Sequence, residues 1–249
     1  MDEHLGLQTE SIIGVDSRLR VGTTTTYPSR AIVYLYVVFP NTAAYSCTGW
    51  MIGPRTVATA GHCVYSAGDG GWATSIKAYP GRNGSTAPYG YRWGYRVFSP
   101  PGWTGSASQF YDYGAIQLAG TAIGNTTGWF GFRWQTSNSF PGYFTVRGYP
   151  GDKIGTLAAT MWTMNGAVLA GGTPTTTYGK KLWYLMDTYG GQSGSPIYQT
   201  WGGQCCYGVG IHAYGAAAWP GPTPPYNSGT RITSAVFANL LNWRNWVYP

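Results

Sequence analysis

Charged residues are scarce in this chain, and glutamate is nearly absent. Asp, Glu, Lys and Arg together make up only 9% of its 249 residues, so few positions are available for charge chemistry and each carries more weight. No glutamate occurs between residues 11 and 249. The sequence also lacks any run of about 18 apolar residues, so we predict no membrane span.

The few charges are mostly basic and mostly isolated. The formal net charge is +7, although the first ten residues hold three acids and no Lys or Arg. A basic surface favours an acidic partner. Only Lys180 and Lys181 are adjacent, however, so the pattern does not predict a nucleic-acid surface.

Residues 1–10 are polar and lack the apolar segment of a signal peptide. The low charge and the abundance of Thr, Ser, Gly and Tyr are nevertheless typical of a secreted protein. We therefore expect secretion, with the export signal and most of a pro-segment lying outside this sequence. Residues 1–10 would then be the residual pro-segment.

Four cysteines, an even number, favour disulfides in an exported chain. No Cys-x-x-Cys pair occurs, so we expect no structural zinc site. Cys47 and Cys63 flank a predicted hairpin, and a bond between them would hold the loop at residue 62. Cys205 and Cys206 are adjacent. Consecutive Cα atoms lie ~3.8 Å apart, below the usual ~4.4–6.8 Å of a disulfide, so the bond we predict there would be strained.

Residues 190–196, Gly-Gly-Gln-Ser-Gly-Ser-Pro, set a serine among glycines before an apolar strand. Glycine permits tight turns and the close approach of a substrate, and it lets successive N–H groups point into one cavity, as an oxyanion requires. Ser193 is therefore the candidate nucleophile. Ser195 is its rival, but it precedes Pro196, which has no N–H to offer.

A base and an acid precede this serine in the chain. The order His62, Asp112, Ser193 is one of the known orders of the acyl-transfer triad. A serine hydroxyl needs a base, and the base needs a carboxylate to orient it. Asp112 is preferred because it lies at the entrance to a predicted buried strand, whereas Asp69 and Asp152 lie beside glycines in predicted turns.

Short apolar segments separated by glycine and proline turns predict an all-β fold. We expect two packed antiparallel β-barrels, residues 11–125 and 126–231, followed by a helical segment, residues 232–249. The helix is predicted from a cap at Thr233 or Ser234 and from one apolar stripe, formed by Val236, Phe237, Leu240 and Leu241. Further expectations are strands at 72–79 and 154–164, an irregular connector at 119–140 and a proline-rich loop at 220–227.

Six segments together resemble the bacterial glutamyl endopeptidases, which are chymotrypsin-like serine proteases. They are Cys-Thr-Gly-Trp-Met-Ile-Gly-Pro (47–54), Thr-Ala-Gly-His-Cys (59–63), Tyr-Asp-Tyr-Gly-Ala-Ile (111–116), Gly-Tyr-Pro-Gly-Asp-Lys (148–153), Met-Asp-Thr-Tyr-Gly-Gly-Gln-Ser-Gly-Ser-Pro (186–196) and Gly-Thr-Arg-Ile-Thr (229–233). The resemblance extends from about Ser11 to about Trp246. It implies two six-stranded antiparallel barrels with the active site in the cleft between them. The adjacent second pair of cysteines departs from the spacing in close relatives.

The resemblance also implies a role for each candidate catalytic residue. His62 would be the general base, Asp112 its orienting partner and Ser193 the nucleophile. The backbone N–H groups of Gly191 and Ser193 would form the oxyanion hole. This chemistry needs no cofactor, we expect no metal in the site, and no Asp-rich loop suggests a Ca²⁺ site.

The substrate pocket has two interpretations. By the resemblance, His212 and Thr188 line a pocket for glutamate. A histidine can donate to a carboxylate, and an enzyme that cuts after Glu gains from lacking it after residue 10. Asp187, six positions before Ser193, would instead give trypsin-like specificity for Arg or Lys.

A hypothesis of another class uses the 12 Trp and 21 Tyr as stacking platforms of a glycan- or cell-wall-binding β-protein. That hypothesis leaves the His, Asp and Ser set without purpose. We therefore predict a secreted serine endopeptidase, expected to be a monomer, that cleaves peptide or protein substrates after Glu and less well after Asp. The bond between Glu10 and Ser11 is the predicted maturation site of a zymogen, and one that the enzyme can cut itself.

Overall fold

Short β-strands make up most of the chain that the computed structural model describes, which is residues 11–153, 159–215 and 226–246. The strands are β1 Leu19–Arg20, β2 Ile32–Val38, β3 Ala44–Met51, β4 Thr56–Thr59, β5 Tyr65–Ser66, β6 Gly71–Trp72, β7 Ser75–Pro80, β8 Arg92–Phe98, β9 Gly114–Leu118, β10 Gly131–Phe132, β11 Phe144–Gly148, β12 Trp162–Gly166, β13 Leu169–Ala170, β14 Lys181–Tyr184, β15 Pro196–Trp201, β16 Gln204–Tyr214 and β17 Asn227–Arg231. The helices of the described chain are α1 Pro101–Thr104, α2 Gly124–Thr127 and α3 Ser234–Arg244.

The first sheet is a closed antiparallel barrel with the strand order β2, β3, β4, β9, β8, β7. In β2, Leu35 and Val37 are buried and the intervening Tyr36 is exposed, as expected for a strand with one face on a core. Gly49 lets β3 approach β4, because a Cβ there would lie 3.0 Å from the carbonyl oxygen of Ala58 and closer still to Val57. The barrel therefore needs a residue without a side chain at this point.

The second sheet has nine strands, in the order β1, β12, β11, β15, β16, β17, β14, β13, with β10 added in parallel beside β16. Its core includes Phe144, Val146, Leu182, Ile197 and Val209. The strand path does not close, which differs from the second six-stranded barrel that the sequence led us to expect. Two-residue strands occupy both ends of the path: β1 pairs with β12, and β13 pairs with β14.

Several predicted elements have different bounds in the structure. The strand expected at 72–79 is divided between β6 and β7, and the connector at 119–140 contains α2 and β10. Only β12 corresponds to the strand expected at 154–164, since residues 154–158 lie outside the described chain. Most of the loop expected at 220–227 also lies outside it.

The C-terminal helix α3 forms as predicted and packs on the first barrel. Thr233 is its N-cap, with a side-chain oxygen that accepts a hydrogen bond from the backbone N–H of Val236. Trp243 stacks on Phe98 of β8, with ring centres 5.7 Å apart. Each end of the chain therefore packs on the sheet formed by the other half, because β1 joins the second sheet and α3 covers the first. The division of the two halves at residue 125 stays a prediction. None of the helices in the described chain has the length and apolar character that crossing a lipid bilayer requires.

Candidate active site

His62 lies in a 3₁₀ turn, Gly61–Cys63, that directly follows β4. A disulfide joins Cys63 to Cys47 of β3, with Cα atoms 6.2 Å apart, so the turn is fastened to the barrel. A Cβ at Gly61 would lie 2.9 Å from the Trp103 ring and 3.0 Å from a carboxylate oxygen of Asp112. The glycine therefore lets the turn come close to the acid.

Asp112 holds His62 through two hydrogen bonds. The backbone N–H of His62 donates to Oδ1 over 2.9 Å, and Nδ1 of its ring lies 2.8 Å from Oδ2. The Asp112 side chain is completely buried and that of His62 is 13% exposed. This geometry fixes the ring orientation and makes Nδ1 the nitrogen that faces the carboxylate.

Asp112 remains ionised in spite of its burial. Burial by itself raises the pKa of this carboxyl group. The charge and hydrogen bonds of His62 and the hydroxyl of Tyr214 lower the pKa by a larger amount, so it lies below its ordinary value. Tyr214 donates its hydroxyl hydrogen to Oδ2. Burial and the neighbouring carboxylate raise the pKa of Tyr214 well above 10, so the tyrosine keeps its proton and remains a donor.

The other acids of the described chain have different partners. Asp16 and Asp152 both pair with Arg18, and Asp69 accepts hydrogen bonds from the side chains of Ser66, Asn41 and Tyr45. Asp112 is the acid whose carboxylate bonds both the backbone and the ring of His62.

The loop with Ser193 is tied to the first barrel beside this turn. The carbonyl oxygen of Ser193 accepts a hydrogen bond from the backbone N–H of Thr48 over 2.9 Å, and the Sγ atom of Cys63 lies 3.7 Å from the same oxygen. These contacts bring Ser193 next to the turn that carries His62. Ser193 is 8% exposed, whereas its rival Ser195 is completely buried.

The carbonyl oxygens of two peptide groups in this loop accept backbone hydrogen bonds. The Gly190 oxygen accepts from the Gly151 N–H over 2.6 Å, and the Gln192 oxygen accepts from the Ser195 N–H over 2.9 Å. Because N–H and C=O point in opposite directions in a trans peptide, the N–H groups of Gly191 and Ser193 point away from these contacts. Gly191 adopts φ +98°, a conformation that favours glycine.

His212 on β16 pairs directly with the serine loop. Its carbonyl oxygen accepts from the Gly194 N–H over 2.7 Å, and its own N–H donates to the Ser195 oxygen over 2.9 Å. The imidazole is fully buried, and its Nδ1 is hydrogen-bonded to the hydroxyl of Tyr184. This contact leaves Nε2 as the nitrogen on the other edge of the ring.

Thr188, the other predicted pocket residue, is fully buried five positions before Ser193. Its N–H donates to the carbonyl oxygen of Ser11 over 3.3 Å. Its hydroxyl has no hydrogen-bond partner among the described residues. A buried hydroxyl without a partner is costly, so this group is available to a bound ligand.

Asp187 is buried, and both of its carboxylate oxygens are bound by the N-terminal arm. The N–H of Ile13 donates to Oδ1 and the N–H of Ser17 donates to Oδ2, each over 2.8 Å. Ser11 is held in turn by Asn227, whose side chain accepts from its N–H and donates to its carbonyl oxygen. Asp187 therefore anchors the arm in this structure.

Sequence reasoning missed several residues that support the site. Tyr214 contacts Asp112, and Tyr184 contacts His212. Thr48 donates hydrogen bonds to the carbonyl oxygens of Ser193 and Gly191. The pairing of β16 with β17 is irregular between residues 212 and 214, so regular strand alternation could not have found Tyr214. The structure pairs Cys205 with Cys206 at the start of β16.

Comparisons with known proteins identify relatives of this chain. The family model described as trypsin matches residues 21–236. The glutamyl endopeptidase of Bacillus licheniformis is 46% identical over 243 residues, which cover 95% of this chain and 70% of that protein. An extracellular metalloprotease of Bacillus subtilis (strain 168) is 46% identical over 241 residues, covering 96% and 71%.

Solved structures show the same architecture. A Glu endopeptidase in complex with MPD superposes with a TM-score of 0.76 at 30% identity, covering 93% of this chain and 98% of that chain. The protease Anisep from Arthrobacter nicotinovorans, at 18% identity, has a TM-score of 0.68 over 90% and 98% of the two chains. The predicted fold class, an all-β chymotrypsin-like fold with a C-terminal helix, is confirmed, with one closed six-stranded barrel and a second sheet that is not closed.

Proposed function

Because this chain belongs to the trypsin family of serine endopeptidases, we propose that it hydrolyses peptide bonds after glutamate, and less well after aspartate, with Ser193 as nucleophile. The observation that carries the catalytic assignment is the pairing of His62 with Asp112 at 2.8 Å, next to the Ser193 loop. The relative named glutamyl endopeptidase, 46% identical over most of the chain, supports the substrate preference.

Each catalytic step has a group suited to it. Nε2 of His62 removes the proton from the Ser193 hydroxyl as its oxygen attacks the scissile carbonyl, and then returns the proton to the leaving amine. Asp112 stabilises the imidazolium that forms in between. The N–H groups of Gly191 and Ser193 hold the oxyanion. Water then hydrolyses the acyl-enzyme by the same proton transfers.

Glutamate specificity is assigned to His212 and Thr188. Tyr184 at Nδ1 of His212 orients the ring so that Nε2 can face a substrate carboxylate, and the Thr188 hydroxyl adds a second polar group. The alternative specificity for Arg or Lys would need the carboxylate of Asp187 to face the substrate. Both of its oxygens instead accept backbone hydrogen bonds from Ile13 and Ser17, which favours glutamate.

The name of the Bacillus subtilis relative raises the question of a metal. In the described chain, the cluster of potential ligands is Cys47, His62 and Cys63. The two sulfur atoms are joined in a disulfide, so they are not thiolate ligands, and His62 is bound to Asp112. This donor set does not fit a catalytic metal, and we derive no step through one.

We further propose that the enzyme acts outside the cell and matures by cleavage between Glu10 and Ser11. Glu10 lies outside the described residues. Ser11 is held by Asn227 and by the N–H of Thr188, so processing at this bond would act on a segment that contacts the proposed pocket. Mature and unprocessed protein would then differ in activity toward glutamyl peptides.

The experiment that tests the function pairs active-site labelling with matched peptides. A fluorophosphonate should label the wild type and the Ser195→Ala variant, whose changed side chain is buried outside the cleft, but not Ser193→Ala. Peptides that differ only at the cleavage position should be cut in the order Glu, Asp, then Gln and Arg. Labelling of Ser193→Ala would reject the nucleophile, and faster cleavage after Arg would reject the pocket.

A further inference from the structure

A buried lysine lies behind the Asp112 carboxylate, where the proposed mechanism gives it no role. Lys181, at the start of β14, is fully buried. Its ammonium nitrogen lies 2.8 Å from the side-chain oxygen of Gln109 and 4.1 Å from the centre of the Tyr214 ring. Lysine is almost never fully buried without a charged partner, yet its hydrogen-bond acceptor here is a neutral amide.

Lys181 contacts two residues that hold Asp112 in place. Gln109 begins the 3₁₀ turn Gln109–Tyr111 that leads directly into Asp112, so Lys181 fastens this turn. Tyr214, whose ring stacks against the ammonium group, donates to Oδ2 of Asp112. Lys181 is therefore linked to Asp112 in two ways, through the backbone of the turn that begins at Gln109 and through the side chain of Tyr214.

We propose that Lys181 and Tyr214 are positioning residues for Asp112, and that the charge of Lys181 keeps His62 in its unprotonated, base-competent form at mildly acidic pH. The inference rests on the roles proposed above for Ser193, His62 and Asp112. A cation that stabilises the carboxylate also opposes a second positive charge on the imidazole.

The groups that face the ammonium group from each neighbouring element are few. Strand β16 contributes Tyr214, and the segment that leads into β9 contributes Asp112, whose charge attracts the lysine. The turn contributes the neutral Gln109. From β17, Thr230 bonds the backbone oxygen of Asp112, and the guanidinium of Arg231 bonds carbonyl oxygens elsewhere.

Distances across the tyrosine ring set the size of the effect. Lys181 Nζ lies 4.1 Å from the Tyr214 ring centre, and the His62 ring centre lies 6.3 Å from it, so the two groups are at most about 10 Å apart. At the effective dielectric typical of protein sites, one charge at that distance shifts a titration by about one pH unit. Burial lowers the pKa of Lys181 to about 7, against the opposing attraction of Asp112, so the effect is confined to pH values below that.

The test compares Lys181→Met with Lys180→Met, its neighbour, which contacts the same turn at the hydroxyl of Tyr111 but is only half-buried. In Lys181→Met, the acidic limb of the kcat/KM profile should move up by about one pH unit. The loss relative to wild type would then be about 10-fold near pH 6 and absent near pH 9. Lys180→Met should keep the wild-type profile. Gln109→Leu, which removes the amide acceptor, should shift the limb in the same direction by less.

Tyr214→Phe tests the second positioning residue. Loss of one hydrogen bond to a charged group should lower kcat by about 10- to 100-fold with little change in KM. Tyr198→Phe is the control, since Tyr198 is similarly buried on β15 with its side chain bonded to Thr145. An equal kcat in both variants would overturn the role of Tyr214.

A purely structural role for Lys181 gives a different result. Its loss would then lower activity equally at every pH, or lower the thermal midpoint without moving the profile, and either outcome would overturn the inference. We expect Lys181→Met to be at least as stable as wild type near pH 6, because it removes a buried cation. If Ser193→Ala is itself active, the proposed function fails; if it is inactive and the Lys181→Met and wild-type profiles coincide, only this inference fails.

Discussion

Replacing Asp187 by asparagine separates its role as an anchor of the N-terminal arm from a role in the substrate pocket. The carboxylate accepts two backbone hydrogen bonds, from Ile13 and Ser17, each over 2.8 Å. Hydrogen bonds to a buried charged group contribute about 1.5–3 kcal/mol each. Asparagine keeps one acceptor and turns an NH₂ group toward the other N–H, so one bond is lost and the remaining one is weakened.

We therefore expect Asp187→Asn to lower the free energy of unfolding by about 2–4 kcal/mol, which for a chain of this size lowers the melting temperature by roughly 5–12 °C. Differential scanning calorimetry measures the shift. Val15→Ser is the control, because Val15 lies in the same arm but is exposed. Selectivity for Glu over Arg peptides should survive. The reasoning is refuted if the wild type cleaves after Arg and the Asp187→Asn variant loses that activity without a change in its melting temperature.

Three further predictions concern the cysteines, the buried lysine and self-cleavage. Changing Cys47 and Cys63 to Ala opens a loop with a sequence separation of 16, and should cost about 3 kcal/mol in urea unfolding and lower kcat by loosening the turn of His62; an unchanged kcat would contradict this. Because folding lowers the pKa of Lys181 from 10.5 to about 7, the unfolded chain binds the extra proton between these values. Wild-type stability should therefore rise relative to Lys181→Met from about pH 7 toward pH 10, and a constant difference would contradict the burial of a titrating lysine. Thr175→Glu, in an exposed loop, should shorten the lifetime of the concentrated enzyme and release fragments ending at residue 175, whereas Thr175→Gln should not; equal lifetimes would argue against cleavage after Glu.

Local sequence carried much of what could be predicted. The helix α3 followed from its cap at Thr233 and its apolar stripe, and glycine patterns identified the loop of Ser193. The turn at Gly61–Cys63 and the start of β9 after Asp112 could be placed for the same reason, since each depends on residues close together in the chain.

The rest depends on contacts between residues that are far apart in the chain. Tyr214 lies 102 positions from Asp112, and Lys181 lies 72 positions from Gln109. The pairing of β16 with β17 is irregular between His212 and Tyr214, so the strand alternation on which a sequence prediction relies does not hold there. The pairing of β1 with β12, at one end of the second sheet, likewise joins the N-terminal arm to a strand more than a hundred residues away.

The charge balance of the chain reflects the removal of acids more than the addition of bases. In typical soluble domains about 25% of the residues are charged, so about half of that share is basic. This chain has only fifteen Lys and Arg in 249 residues, a smaller share, yet its net charge is +7. The five aspartates after residue 10 all lie in the described chain. Each accepts hydrogen bonds from a buried arginine, from His62, or from backbone and side-chain donors of ordered segments.

Asp69, Asp112 and Asp187 are buried, so they cannot enter a protease cleft in extended form unless the surrounding structure opens first. Asp16 and Asp152 are exposed, and ion pairs with Arg18 hold them in place. An enzyme that cuts after acidic residues, and is its own most concentrated substrate, would gain from this arrangement. The scarcity of charge and the proposed specificity then have one physical explanation: the acids that remain are those whose loss would loosen the arm, the Asp69 turn or the His62 pair.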